Sequence, residues 1–178
     1  MYQSVITFWF EEIEPSQWFA KDSQFDQHIA ERFGSLYQQA VQCELFQWRN
    51  EAKGRLAEII ILDQFSRNIF RDSSRAFAHD SMALALAQEA VSLQIDQALT
   101  DKEKSFLYMP YMHSESKAIH QVAERLFAQP GLESNYRFEL KHKEIIDQFG
   151  RYPHRNALLG RESTAAEIEF LAGPGSSF

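Results

Sequence analysis

Between residues 50 and 70 the chain carries Leu56, Ile59, Ile60, Ile61, Leu62, Phe65 and Ile69, so a helix over this span is apolar on more than one side. Such a helix belongs in the middle of a packing arrangement, with other helices around it. The rest of the sequence supplies them: helical periodicity dominates, and the alternation of a half-buried strand is nearly absent. The pattern predicts an all-α chain of about seven to nine helices. Its 178 residues fit a single all-helical domain, 1–178, able to bury roughly 70% of its unfolded surface.

Punctuation residues place the other helices. One over 2–13 ends before Pro15, because the residue preceding proline avoids the α region. Another opens near Asp22, a natural N-cap, and carries Phe25, Ile29, Phe33 and Leu36 on one stripe. The alanine-rich span 80–94 allows close helix approach. Thr100 and Glu103 form a capping box, and Pro110 must kink or end the helix they start. Helices over 114–127 and 136–149 follow, the second closed by Gly150. Thr164 and Glu167 cap a last one that runs to Gly173, before a frayed tail over 173–178. The predicted core is Leu56, Ile60, Phe65, Ile69, Leu84, Val122, Leu126, Leu140 and Phe149, with Met109 and Met112 as filler. Trp9, Trp18 and Phe19 close a core or form an interface.

Charge and composition remove several function classes. The net charge is −7 and no Lys/Arg run exists, so no nucleic-acid partner is expected. The longest aliphatic run, 59–62, is far short of a membrane span of ~20 residues. The start has neither a basic region nor a small-residue cleavage site, and the one cysteine, Cys43, fits a reducing compartment as a small apolar filler. The location expected is cytoplasmic.

Helix pairs joined by short loops suggest an antiparallel α-hairpin stack or an irregular bundle. A weak internal echo accompanies this reading: Asp63-Gln64-Phe65-Ser66-Arg67 and Asp147-Gln148-Phe149-Gly150-Arg151 agree at four of five positions. Longer segments carry a resemblance. The runs VITFWFEE and WFAKDSQFD, then LDQFSRNIFR, LYMPYMHSES and FGRYPHRNALLGRESTAAEIEFL together resemble the bacterial family known as domain of unknown function 924, in that family's order. The resemblance implies an α-α superhelix of antiparallel helix pairs, similar to tetratricopeptide-repeat proteins with degenerate repeats. It implies no activity.

Three polar segments could form a site. Asp63, Arg67 and Arg71 recur every four residues on the central helix, with Gln64 and Asn68 on the neighbouring stripe. This face continues into Ile60 and Leu56, so the polar group extends a buried stripe. Exposed, an Asp63–Arg67 pair contributes only about 0.3–0.5 kcal/mol; buried, it must belong to a satisfied network. Tyr108, Tyr111, His113, Ser114 and Glu115 flank Pro110, where a helix break turns side chains into a cleft. The plainer alternative is that Ser114 caps the next helix and Glu115 favours its positive end. Arg151, Tyr152, His154, Arg155, Asn156 and Arg161 surround Pro153, and guanidinium forks beside free amides suit a carboxylate or phosphate. Alternatively these arginines neutralise Glu144, Asp147, Glu162 and Glu167. His142 shares a stripe with Phe138, Ile145 and Phe149 and reads as a core histidine. No HExxH, HxH or CxxC spacing occurs, so neither a metal nor a cofactor is expected.

The leading function on these residues is a binding module for a small anion or an acidic peptide, anchored by Arg67, Arg71, Arg151 and Arg155. The rival is a hydrolytic or transfer enzyme with His113 or His154 as general base, oriented by Asp63 or Glu115. A structural interaction protein, its polar motifs serving as interhelical staples, is the third. The first two require the segments to meet around one cavity.

Overall fold

The computed structural model describes residues 1–176, and among these there are helices and no strand. α1 is Tyr2–Thr7, prolonged by a π turn, Phe8–Glu12. α2 is Ser23–Val41, capped by Asp22, whose carboxylate accepts from the Gln24 and Phe25 amides at 2.9 and 3.2 Å. α3 runs without a break through Ala52–Ile60, a π turn at Ile61–Phe65, and Ser66–Ile69. α4 is Asp80–Ser92 and α5 is Asp101–Met112. α6 is Lys117–Phe127, α7 is Glu133–Phe149 and α8 is Ala165–Leu171, which makes eight helices among the described residues. Both expected capping boxes, at Thr100 and Thr164, are formed, and Gly150 adopts φ +70° past α7. Residues 173–176 follow α8, tied back by a 3.2 Å bond from Ser176 Oγ to the Leu171 carbonyl; the rest of the expected tail, 177–178, lies outside the described residues.

α3 occupies the centre. Leu56, Ile59, Ile60, Ile61, Leu62 and Phe65 are all fully buried, and α1, α2, α4 and α5 pack against it. Aromatic rings interlock around it, Phe33 on Phe65 at 4.8 Å and Trp9 edge-on to Phe106 at 5.6 Å between centroids. From α4 onward each helix packs on the next, through α5 and α6 to α7. No described helix is long and apolar enough to cross a membrane.

Several expectations fail for local reasons. Pro110 does not end α5: it lies two residues from the end, where it removes one backbone bond and leaves the His113 amide bonded to the Met109 carbonyl at 2.9 Å. Ser114 caps nothing, because α6 starts at Lys117; its carbonyl instead accepts from His120 Nε2 at 2.8 Å. Leu140 is 39% exposed, since the inward face of α7 is Glu139, His142, Ile145 and Ile146. Phe138 is exposed as well, but His142 is a buried histidine as expected, its Nδ1 bonded to the Phe138 carbonyl at 2.7 Å and Ile145 of the same stripe buried beside it. Ile69, Leu84, Val122, Leu126 and Phe149 are half-buried, the smaller Ala83, Ala87, Ala90 and Ala123 taking the innermost positions on α4 and α6. Cys43 is exposed, at φ +59° in the turn that ends α2, and fills no gap.

A cavity beneath the central helix

A cavity of about 960 Å³ opens where the end of α3 meets the end of α5, and its lining includes Gln64, Arg67, Asn68, Arg71, His113, His154 and Arg155. Two local features put them there. The π turn in α3 adds a residue to one turn, and Asp63 and Gln64 are both buried within it. Glu115, just past α5, accepts the Tyr152 amide at 2.7 Å and both Arg161 Nη groups at 2.6 and 2.9 Å. That clamp holds the short 3₁₀ turn Pro153–Arg155 against the α5 terminus.

Asp63 lies behind the lining, fully buried. Its Oδ1 accepts from His113 Nδ1 at 2.7 Å and lies 3.2 Å from Arg67 Nη1, while Oδ2 accepts from Gln64 Nε2 at 2.5 Å. Burial alone would raise this carboxyl, but His113, Arg67 and the hydrogen bonds hold it well below the usual carboxylate range. Arg67 also grips Asp80 with two parallel bonds of 3.0 and 2.9 Å. His113 is pushed below the ordinary imidazole value, chiefly by burial, with Asp63 pulling the other way.

Arg155 differs from Arg67. It is 7% exposed and its guanidinium lies over the rings of Phe77 and Tyr152, at 4.6 and 4.7 Å. Its one hydrogen bond to a described residue is a long one, 3.3 Å to Asp80, and its Nε has none. Burial, then the nearby Arg67 charge, lowers its pKa from the ordinary guanidinium value. The remaining wall is apolar and aromatic, with Trp18, Phe106, Met109, Met112 and Phe138.

Seven of the predicted residues therefore line one space, and Asp63 supports it from behind. The others do not reach it. Tyr108 donates to Asp96 at 2.6 Å inside the core, and Tyr111 is buried, its phenol pushed up to about 12 by burial and by Asp96. Arg151 faces away and pairs with Glu167 at 2.6 Å, as the neutralising alternative held. Asn156 bonds to Ser163 and Arg161 at 3.1 and 2.9 Å. Ser114 and Glu115 lie outside the lining, Glu115 acting through the turn that it clamps. Arg71 is held by Asp26, which also accepts from Asn68 at 2.8 Å.

The arginines converge, but not as a surplus of charge. Asp80, Asp63 and Asp26 meet them, and Asp26 and Asp80 escaped notice in the sequence because each reads as an acid in the first turn of a helix. The signal that could have found them is arithmetic: converging guanidiniums need carboxylates. Phe77 and the fully buried His120–Glu139 pair, 2.7 Å apart, carry no sequence signal of their own.

Comparison with known proteins agrees with this architecture. No curated protein matches. A solved structure described as a protein of unknown function, ATU0120 from Agrobacterium tumefaciens, superposes with a TM-score of 0.91 at 36% identity, covering 96% of each chain. The model of the family described as bacterial protein of unknown function, DUF924, matches residues 5–175. The chain belongs to the DUF924 family.

Proposed function

We propose that the protein binds a small molecule with a carboxylate head and an apolar body, the head at Arg155 and the body along Trp18, Phe106, Met109 and Phe138. One observation carries the reading: Arg155 is a buried cation beside a large cavity, with most of its donors unused by the described residues. Unmet donors on a buried guanidinium are costly, and a carboxylate fork satisfies two at once. The volume of about 960 Å³ lies at the upper end of small-ligand pockets and far exceeds what an inorganic anion fills. An acidic peptide would enter by the same chemistry, through its terminal carboxylate. The groove-forming architecture proposed with it is an α-α superhelix of tetratricopeptide-repeat type with degenerate repeats, supported by the sequential packing of α4 to α7. The setting proposed is a cytoplasmic single domain.

The test is calorimetric titration with acetate, hexanoate, octanoate, 3-phenylpropanoate, phosphate and a short peptide with a free C-terminus. Affinity should rise with the apolar body and be at least tenfold weaker in Arg155→Gln, while Arg151→Gln behaves as wild type. Tightest binding by phosphate, or equal binding by wild type and Arg155→Gln, would overturn the assignment.

A further inference from the structure

Resting on that pocket, we infer that the protein is a hydrolase, in which His113 draws a proton from water as the water attacks the carbonyl carbon of an apolar carboxylic ester.

Asp63 decides which nitrogen of His113 carries the proton. Asp63 is 1% exposed and accepts from Gln64, Arg67 and His113, so it can offer His113 nothing but an acceptor. His113 Nδ1 must therefore donate, which leaves the lone pair on Nε2. His113 lines the cavity, and Nε2 makes no hydrogen bond to any described residue. A neutral imidazole with a buried carboxylate behind it and an open nitrogen in front is the arrangement of a general base, because the carboxylate stabilises the imidazolium that forms.

His142, also on the wall, has no carboxylate on its Nδ1. His142 Nδ1 donates to the Phe138 carbonyl, a neutral acceptor, and burial holds its pKa down to about 3. His154 is likewise held down to about 4, by burial and then by Arg155.

Among the described residues no serine, threonine or cysteine hydrogen-bonds to His113, so the attacking group is water and no acyl-enzyme forms. One O–H bond of the water breaks and its proton passes to Nε2 as the oxygen bonds to the ester carbon. Arg155 meets the resulting oxyanion with its unused donors. Collapse breaks the ester C–O bond, and the leaving alkoxide takes the proton from Nε2. The products are an alcohol and a carboxylic acid, with no change of oxidation state. The acid, once ionised, is the carboxylate ligand of the reading above.

The experiment uses the full chain and 4-nitrophenyl acetate, butyrate and octanoate, with His113→Gln purified identically to account for contaminating esterases. Turnover should rise with acyl length, show no burst, and follow a kcat/KM limb with an apparent pKa below 6.5. His113→Gln should lower kcat by at least 100-fold with helical content and octanoate binding retained. Asp63→Asn, a positioning change, should lower kcat and displace the pH limb. No ester turnover with octanoate binding intact would overturn the hydrolase and leave the binding reading standing. Equal turnover by wild type and His113→Gln would remove His113 from the chemistry. Loss of both binding and turnover in the wild type would sink both readings.

Discussion

The same five-letter string, with one change, stands at two places in this chain and does two different things. In Asp63-Gln64-Phe65-Ser66-Arg67 every residue but the arginine is buried, and the arginine is 21% exposed. In Asp147-Gln148-Phe149-Gly150-Arg151 the aspartate is 47% exposed and pairs with Lys143 at 2.5 Å, one helical turn away. Arg67 reaches Asp80 and the cavity, whereas Arg151 reaches Glu167 and the outside of the fold. The difference lies in what surrounds each string: the first sits inside a helix packed on several sides, the second at the end of a helix with one buried face, Glu139, His142, Ile145 and Ile146. An ion pair written identically in sequence is a buried network in one place and a solvated contact in the other.

The largest expected contrast is between the phenylalanines. Phe65→Ala should lower stability by about 3–5 kcal/mol, and Phe149→Ala by about 1–2, because Phe65 is fully buried among rings while half-buried Phe149 meets Phe170 at 5.1 Å. Urea denaturation of both variants measures this, and equal losses would erase the distinction. The aspartates come next. Asp63→Ala leaves His113 and Arg67 without their buried acceptor and should cost about 3 kcal/mol. Asp147→Ala should leave the urea midpoint where it is; a matching drop would mean the outer pair is not a solvated contact.

Acid should act first on the cavity side. His142 and His154 stay neutral in the folded state down to about 3 and about 4, whereas an unfolded histidine protonates near 6.5. Because the folded values are depressed, the unfolded state binds more protons below pH 6.5. Stability is therefore intact above that pH and lost as pH falls toward 4. From pH 7 to pH 5 the loss is about 2 kcal/mol for each histidine. His113, also depressed, adds in the same direction. Thermal unfolding across this range in wild type and His142→Phe checks it: the variant should be less sensitive to acid, and an unchanged slope would place the acid sensitivity elsewhere.

Helix positions were legible because caps, glycine and periodicity are local signals: Asp22, Thr100, Thr164 and Gly150 each stand where the structure uses them. The gathering of α3, the α5 terminus and the 153–155 turn was legible through their shared polar character. What was not legible is partner choice. Glu115 could be read as a cavity residue because its charge shows in the sequence, while the amide and guanidinium that turn it into a clamp lie 37 and 46 residues away. The two π turns leave no composition signal at all, whereas the burial of Asp63 was legible as the continuation of the stripe through Leu56 and Ile60.

The smallest expected effect tests the one letter by which the two strings differ. Ser66 continues α3 and its hydroxyl donates to the Asp63 and Ala76 carbonyls at 3.2 and 3.1 Å; Gly150 ends α7 in the left-handed region at φ +70°. Ser66→Gly removes those buried bonds and loosens a helix interior, for about 1–2 kcal/mol. Gly150→Ser makes the second string identical to the first at the cost of a left-handed serine, about 1 kcal/mol. A Cβ at position 150 meets nothing within 4 Å, so that cost is one of backbone conformation rather than of packing. Gly150→Asn, which tolerates the left-handed region better, should therefore recover part of the loss. If serine and asparagine at position 150 destabilise equally, the backbone is not what separates the two copies.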